Sequence, residues 1–119
     1  MFEYPATILR WVDGDTAWLD IDLGFRTHVQ TEVRLAEINT PEVVTYTLQG
    51  ISDKAREFCE TECPPAALVV VSIGKADKYG RWLAHIRYLK GCGDRAQILR
   101  EGKTLNSELL IKGLAARYK

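Results

Sequence analysis

Apolar and polar positions alternate strictly along Trp18-Leu19-Asp20-Ile21-Asp22-Leu23, which puts Leu19, Ile21 and Leu23 on one face of a strand. The same period of two returns over residues 27–38. There Val29, Val33 and Leu35 share one face, and Gln30, Glu32 and Arg34 share the other. An apolar strand over residues 7–12 precedes both and runs into the turn pair Asp13-Gly14, while Gly24 opens the next turn. These three runs predict an antiparallel meander. The period then changes. Over residues 52–63, Ala55, Phe58, Cys59 and Cys63 fall on one side of a helix. Ser52 is available as its cap, Asp53 suits its positive end, and Pro64-Pro65 stops it. Residues 68–73 read as a buried strand, 74–80 as a charged turn, 82–89 as a last strand and 90–103 as a connection. A closing helix is expected from a cap at Asn106 through Tyr118, with Leu109, Leu110 and Leu114 apolar and Gly113 a weak point near its end. Such an order makes an α+β, mainly β domain built on a small barrel.

Composition narrows the class further. A chain of 119 residues suits a single domain, 1–119, and no repeat or linker divides it. At 46% hydrophobic and 27% charged, it is too apolar for disorder. No window holds the roughly 20 apolar residues of a membrane-spanning helix. The start, Met1-Phe2-Glu3-Tyr4-Pro5, lacks the basic and apolar regions of a signal peptide. The expectation is therefore a cytoplasmic protein, or a secreted one whose leader has been removed. Cys59, Cys63 and Cys92 form no C-x-x-C, and His28 and His85 are the two histidines. These numbers exclude a disulfide framework and a zinc site of ordinary spacing.

Formal net charge is zero, yet the charges are unevenly placed. Residues 1–63 carry 5 Lys/Arg against 12 Asp/Glu, and residues 64–119 carry 11 against 4. If the halves fold together, carboxylates face basic groups. That layout suits a divalent cation beside an anionic substrate, and equally a plain mutual neutralisation.

Three segments hold residue types that handle metals and phosphates. In Asp13-Gly14-Asp15-Thr16, two carboxylates flank a glycine at a strand edge and offer hard oxygens to Ca²⁺ or Mg²⁺. In Arg34-Leu35-Ala36-Glu37-Ile38-Asn39-Thr40-Pro41-Glu42, the Arg34 fork on a strand suits a phosphate. Asn39 adds a neutral oxygen ligand, and Thr40, held extended by the following proline, can present its carbonyl to an ion. Glu42 is placed to act as a general base on a water molecule. In Asp77-Lys78-Tyr79-Gly80-Arg81-Trp82, Arg81 supplies a second phosphate ligand, and Lys78 and Tyr79 can clasp another phosphate or a base. Taken singly, each segment is first of all a turn. Trp11, Trp18 and Trp82 read as core or rim packing, His85 as a structural histidine and His28 as a solvated one.

Together the segments resemble the staphylococcal nuclease family. The matching stretches are Val12-Asp13-Gly14-Asp15-Thr16, Val33-Arg34-Leu35 with Ile38-Asn39-Thr40-Pro41-Glu42, and Asp77-Lys78-Tyr79-Gly80-Arg81-Trp82-Leu83-Ala84. Tyr4-Pro5-Ala6-Thr7 at the start, and Leu105-Asn106 with Gly113-Leu114-Ala115 at the end, fit as well. The resemblance implies an OB-fold-like five-stranded barrel with two or three packed helices. It also implies Ca²⁺-dependent hydrolysis of phosphodiester bonds in DNA or RNA. The residues themselves show little base-reading equipment, so low sequence specificity is expected, and no obligate protein partner is evident. Carried over residue by residue, Asp15 and Asn39 would bind one Ca²⁺ through side chains and Thr40 through its carbonyl, with Asp13 acting nearby or through water. Other divalent ions remain open. Glu42 would be the general base, Arg34 and Arg81 would hold the reacting phosphate, and Lys78 and Tyr79 would grip an outer one.

The match also departs from the family in three places. Asn39 stands where many members have a second aspartate, so weaker Ca²⁺ binding is expected. Residues 43–49 carry no charge where the nuclease that names the family has a lysine-rich loop. Residues 90–103 form a longer connection, whose Lys90, Arg95, Arg100 and Lys103 offer a substitute basic surface or an ordinary solvated loop. A binding module on the same barrel, catalytically weak or inactive, is the alternative reading. The presence of Asp15, Arg34, Thr40, Glu42 and Arg81 favours the enzyme, while Asn39 and the neutral balance favour the module.

Overall fold

The computed structural model describes residues 2–39, 44–47 and 50–117. Strands β1 (Phe2–Asp13), β2 (Thr16–Gly24) and β3 (Thr27–Leu35) form the expected meander. A two-residue β4 (Ile38–Asn39) and a hairpin of β5 (Val44–Thr47) and β6 (Gly50–Asp53) follow. Then come α1 (Lys54–Glu62), β7 (Leu68–Ala76), β8 (Trp82–Tyr88), α2 (Arg95–Glu101), β9 (Lys103–Thr104), α3 (Leu105–Ile111) and β10 (Ala116–Arg117).

Five of these strands close on themselves. The antiparallel pairs β3–β2, β2–β1, β1–β7 and β7–β8 make an open sheet, and the parallel pairing of β3 with β8 shuts it into a mixed barrel. Closure needs a strand that bends. In β1 it is supplied by register shifts between Ile8 and Arg10 and between Trp11 and Asp13. At the first of these, Ile8 leaves β7 and bonds the Ala66-Ala67 turn, donating to Ala67 at 3.1 Å and accepting from Ala66 at 2.7 Å.

Inward residues of the alternating strands fill the barrel. Ile8, Leu19, Ile21, Val33, Leu35, Val69, Val71 and Ile86 are all buried, joined by Leu105 and Leu109 of α3. Burying each Leu or Ile contributes about 1.5–3 kcal/mol. The helical stripe also holds, with Ala55, Cys59 and Cys63 buried and Phe58 packed at the margin. The indole N–H of Trp11 donates to the Cys63 carbonyl at 2.9 Å, which pins the end of α1 to β1. Burial pushes the Cys63 thiol up to about 12, an unreactive group at neutral pH.

Three expectations need correction. Helix α1 starts at Lys54 rather than Ser52, because residues 50–53 pair as β6 with β5. Residues 90–103 are not a plain connection. Asp94 caps α2 by accepting from Ala96 N–H at 3.0 Å, Ile98 is buried, and Lys90 and Lys103 are paired with Glu62 and Glu108 at 3.3 and 3.6 Å. A side chain at Gly102 would collide with the carbonyls of Ile98 and Tyr88, so the glycine lets α2 dock closely on β8. The closing helix is shorter than expected. Gly113, at φ +72°, ends it in a left-handed turn whose N–H bonds Leu110, while Leu114 N–H returns to Leu109 at 2.9 Å. Its N-cap is Thr104, and Asn106 lies buried inside it. With the helix stopped, Ala116 and Arg117 are released to pair with Asn39 and Ile38.

Candidate active site

The β1–β2 turn is built by its own aspartates. Asp13 Oδ1 accepts from the Asp15 backbone N–H at 3.0 Å, so the chain reverses around that carboxylate. Asp15 is thereby turned inward, 8% exposed. Thr16 Oγ1 donates to Asp15 Oδ1 at 3.1 Å. Burial first, and the Asp15 carboxylate beside it second, push the Asp13 carboxyl up to about 6. Two carboxylates crowded at one turn would both be relieved by a cation.

Strand β3 brings in the first arginine. Arg34 stands directly across from Thr16 on β2 and beside Leu83 on β8, in the barrel's closing seam. Its Nη2 lies 3.5 Å from Asp15 Oδ2 and 3.4 Å from Asn39 Oδ1, so both oxygens converge on one nitrogen. A turn through Glu37, at φ +63°, returns the chain so that Asn39 reaches that nitrogen, and β10 holds Asn39 from outside.

The second arginine comes from the β7–β8 turn, where one carboxylate organises everything. Asp77 Oδ1 accepts from the backbone N–H groups of Tyr79 and Arg81, both at 2.9 Å. Its Oδ2 takes Arg81 Nε at 3.0 Å and Nη2 at 2.9 Å. Burial pushes the Asp77 carboxyl up, but the N–H donors of Arg81 and Tyr79 and the Arg81 guanidinium more than offset it and hold it below its ordinary range. The guanidinium thus has one edge latched, and Nη1 on its other side donates to Thr16 Oγ1 at 3.3 Å. Thr16 is the bridge. It links Arg81 to Asp15, and through Asp15 to Arg34 and Asn39.

Lys78 Nζ and Arg81 Cζ lie 5.1 and 5.4 Å from the Tyr79 ring centroid, and Tyr79 itself is 71% exposed. The ring so gathers two cations at the mouth of the site. Beside it a shallow cleft of about 560 Å³ is lined by Trp18, Thr31, Glu32, Tyr79, Gly80 and Arg81.

Of the residues singled out in sequence, Asp13, Asp15, Arg34, Asn39 and Arg81 meet at one rim of the barrel, with Lys78 and Tyr79 adjoining. Thr40 and Glu42 lie outside the described residues. Three contributors carried no role in the sequence: Thr16 as bridge, Asp77 as latch and Asn106 as brace. The Asn106 amide donates to the carbonyls of Ala36 and Ala84 at 3.0 and 3.1 Å and accepts from Ile86 N–H at 3.2 Å. It therefore clamps the β3–β8 seam two residues beyond Arg34. Asp77 had a visible signal, since Asp four residues before Arg around a Tyr-Gly pair is a turn with its own ion pair. Asn106 had none, because a polar residue near a helix start reads as a cap.

As a donor set, the rim offers one carboxylate and one amide oxygen converging, with a second carboxylate behind. Among the described residues no three His, Cys, Asp or Glu side chains group together. Soft or nitrogen-seeking metals do not fit such a set, whereas Ca²⁺ accepts neutral and anionic oxygens with water completing its shell. A family model described as Staphylococcal nuclease homologue matches residues 32–119, a stretch that holds every singled-out residue except those of the β1–β2 turn. No curated protein matches the chain.

Proposed function

The chain belongs to the staphylococcal nuclease homologue family, and from that premise we propose that it is a Ca²⁺-dependent nuclease hydrolysing phosphodiester bonds of DNA or RNA with little sequence specificity. The observation that carries this reading is the Thr16 bridge, which links Arg34 on β3 and Arg81 of the β7–β8 turn through one carboxylate, Asp15. Asp15, Asn39 and the Thr40 carbonyl would hold the ion, with Asp13 acting through water. When bound, Ca²⁺ adds positive charge beside the non-bridging oxygens of the phosphate.

The rest falls to the chain's own groups. Attack by water on phosphorus raises negative charge on the non-bridging oxygens, and two preset guanidiniums stabilise it without reorganising. Latching Arg81 through one edge leaves its remaining N–H groups for a phosphate oxygen. Glu42 takes the proton from the attacking water as the new P–O bond forms, and the ester oxygen leaves with a proton from solvent. Lys78 and Tyr79 fix the next phosphate along. No base-reading group is required, which agrees with low specificity.

Incubating end-labelled single-stranded DNA across a Ca²⁺ titration tests the proposal, with chelator, Asp15→Ala and Glu42→Gln as controls. Ca²⁺-dependent cutting that both substitutions abolish is expected. Asn39 gives the alternative its one specific support, because an amide in the donor set removes a unit of charge that calcium sites use. If folded protein binds the DNA but cuts at no Ca²⁺ concentration, and Asn39→Asp does not restore cutting, the chain is a binding module.

A further inference from the structure

Beyond Arg81 the surface is not smooth. Arg10, Trp18 and Glu32 stand in register on β1, β2 and β3, so they form one row across three strands on the outside of the barrel. Directly opposed residues on neighbouring strands bring their side chains into contact range. The Arg10 guanidinium lies 5.9 Å from the Trp18 ring centroid. This places a cation against the indole and braces it. Trp18 and Glu32 then line the cleft whose far wall is Tyr79, Gly80 and Arg81. Arg81 is shared between this cleft and the candidate active site, and Trp18 follows the bridging Thr16 by two residues on the same strand. A spacing of two residues in a strand is about 6.6 Å, the reach of a single nucleotide.

The chemistry of the lining selects what enters. A half-buried indole attracts a flat ring by stacking. A phosphate is disfavoured on the Trp18–Glu32 side, away from Arg81, because Glu32 contributes a carboxylate that makes no ion pair among the described residues. Ionised carboxylate accepts hydrogen bonds and cannot donate them. It therefore favours the base edge with two adjacent N–H donors, which among the common bases is guanine, through N1–H and the exocyclic amine. We propose that this cleft is a base subsite: the nucleobase neighbouring the phosphate held by Arg34 and Arg81 stacks on Trp18, and Glu32 gives it a preference for guanine. The chain would then cut with little overall specificity but an uneven choice of neighbouring base. Its nucleic-acid ligand rests on the nuclease reading above.

Binding of fluorescently labelled single-stranded pentanucleotides (dG, dA, dC and dT series) to the Glu42→Gln chain in Ca²⁺, followed by anisotropy, tests the subsite. The dG-containing series should bind tightest. Trp18→Ala should weaken all series roughly tenfold or more, the scale of one lost base stack, while Trp18→Phe keeps most of the affinity. Glu32→Gln should erase the dG preference and leave dT binding unchanged. Tryptophan fluorescence of the parent chain should be quenched on binding, and that quenching should be lost in Trp18→Phe. If Arg34→Ala weakens binding but Trp18→Ala and Glu32→Gln do not, the cleft is no base subsite and the nuclease reading stands. If the Trp18→Ala chain is unfolded, Trp18→Phe quenching and Glu32→Gln selectivity decide. Failure of the parent chain to bind any series overturns both the subsite and the reading beneath it.

Discussion

The two ends of β3 are built differently. At its C-terminal end, Val33 and Leu35 are each 1% exposed, and Arg34 between them faces both β2 and β8. Leu35 N–H donates to Asp15 at 2.8 Å, Ala36 N–H to Ala84 at 2.8 Å, and Asn106 clamps the seam from below. At its other end the strand leaves a hairpin tip where Phe25 and Arg26 both sit in the left-handed region, at φ +54° and +60°. Phe25 is fully exposed, Val29 is 39% exposed, and the tip is tied by exposed bonds alone: Gly24 N–H to Asp22 Oδ1 at 2.8 Å, Thr27 Oγ1 to the Phe25 carbonyl at 3.5 Å, and His28 Nδ1 against Asp20 Oδ1 at 3.1 Å. One strand thus joins a fully tied segment to a strained, weakly tied one. Among the described residues, the candidate site gathers around the tied end. Two guanidiniums can be preset for a phosphate only where the backbone beneath them has nowhere else to go.

Breaking the tied end should have the largest effect. Asn106→Ala removes the amide's bonds to the Ile86 N–H and the Ala36 carbonyl inside the barrel, and leaves the Ala84 carbonyl with the Ala36 N–H alone. Urea unfolding should show a loss of about 3 kcal/mol or more, and a loss under 1 kcal/mol would show that the clamp is incidental. Asp77→Ala should free the Arg81 fork while leaving the barrel intact. Cleavage should then fall about 100-fold, the scale of a misplaced catalytic group, with only a small fall in the urea midpoint.

Relaxing the other end should do the opposite. Phe25→Asn with Arg26→Gly supplies residues that accept the left-handed conformation, so the chain should gain about 1 kcal/mol with cleavage unaltered. A destabilised double variant would mean that the tip is held by something other than its backbone. The smallest effect concerns acid. The Asp77 carboxyl is held below its ordinary 3.8 in the folded chain. Its contribution is therefore complete above that value and is lost as pH falls through the lower folded one. Carbon-detected NMR titration should place the Asp77 midpoint below 3.8, and a midpoint at or above it would remove the latch.

Much of this is legible in the amino-acid sequence. Strict alternation gave β2 and β3, because a strand with one wet face must repeat every two residues, and Leu19, Ile21, Val33 and Leu35 do so. The helical stripe of Ala55, Cys59 and Cys63 was equally plain. Other features could not be read. Helix α2 hides in a glycine-bearing stretch where Asp94 and Ile98 are its main signals, and it is stabilised by docking on β7 and β8 rather than by propensity. Helix α3 is shorter than the apolar pattern predicts because the left-handed Gly113 ends it, and a glycine near a helix end is ambiguous in sequence. The site residues were found as separate turns. What joins them is the Thr16 hydroxyl, whose role depends on strands that meet only when the barrel closes. Trp18 looked like packing for the same reason, since its neighbour Glu32 becomes a neighbour only across the β2–β3 register.

On the proposed function, Arg34 and Arg81 act as forks preset for one phosphate. Steady-state cleavage of single-stranded DNA at saturating Ca²⁺ by Arg81→Lys tests it directly, because lysine keeps the charge but cannot hold both Asp77 and Thr16 while reaching a phosphate. A fall in kcat of about 100-fold or more, with KM little changed, is the predicted result. Cleavage by Arg81→Lys at the rate of the unaltered chain would contradict it.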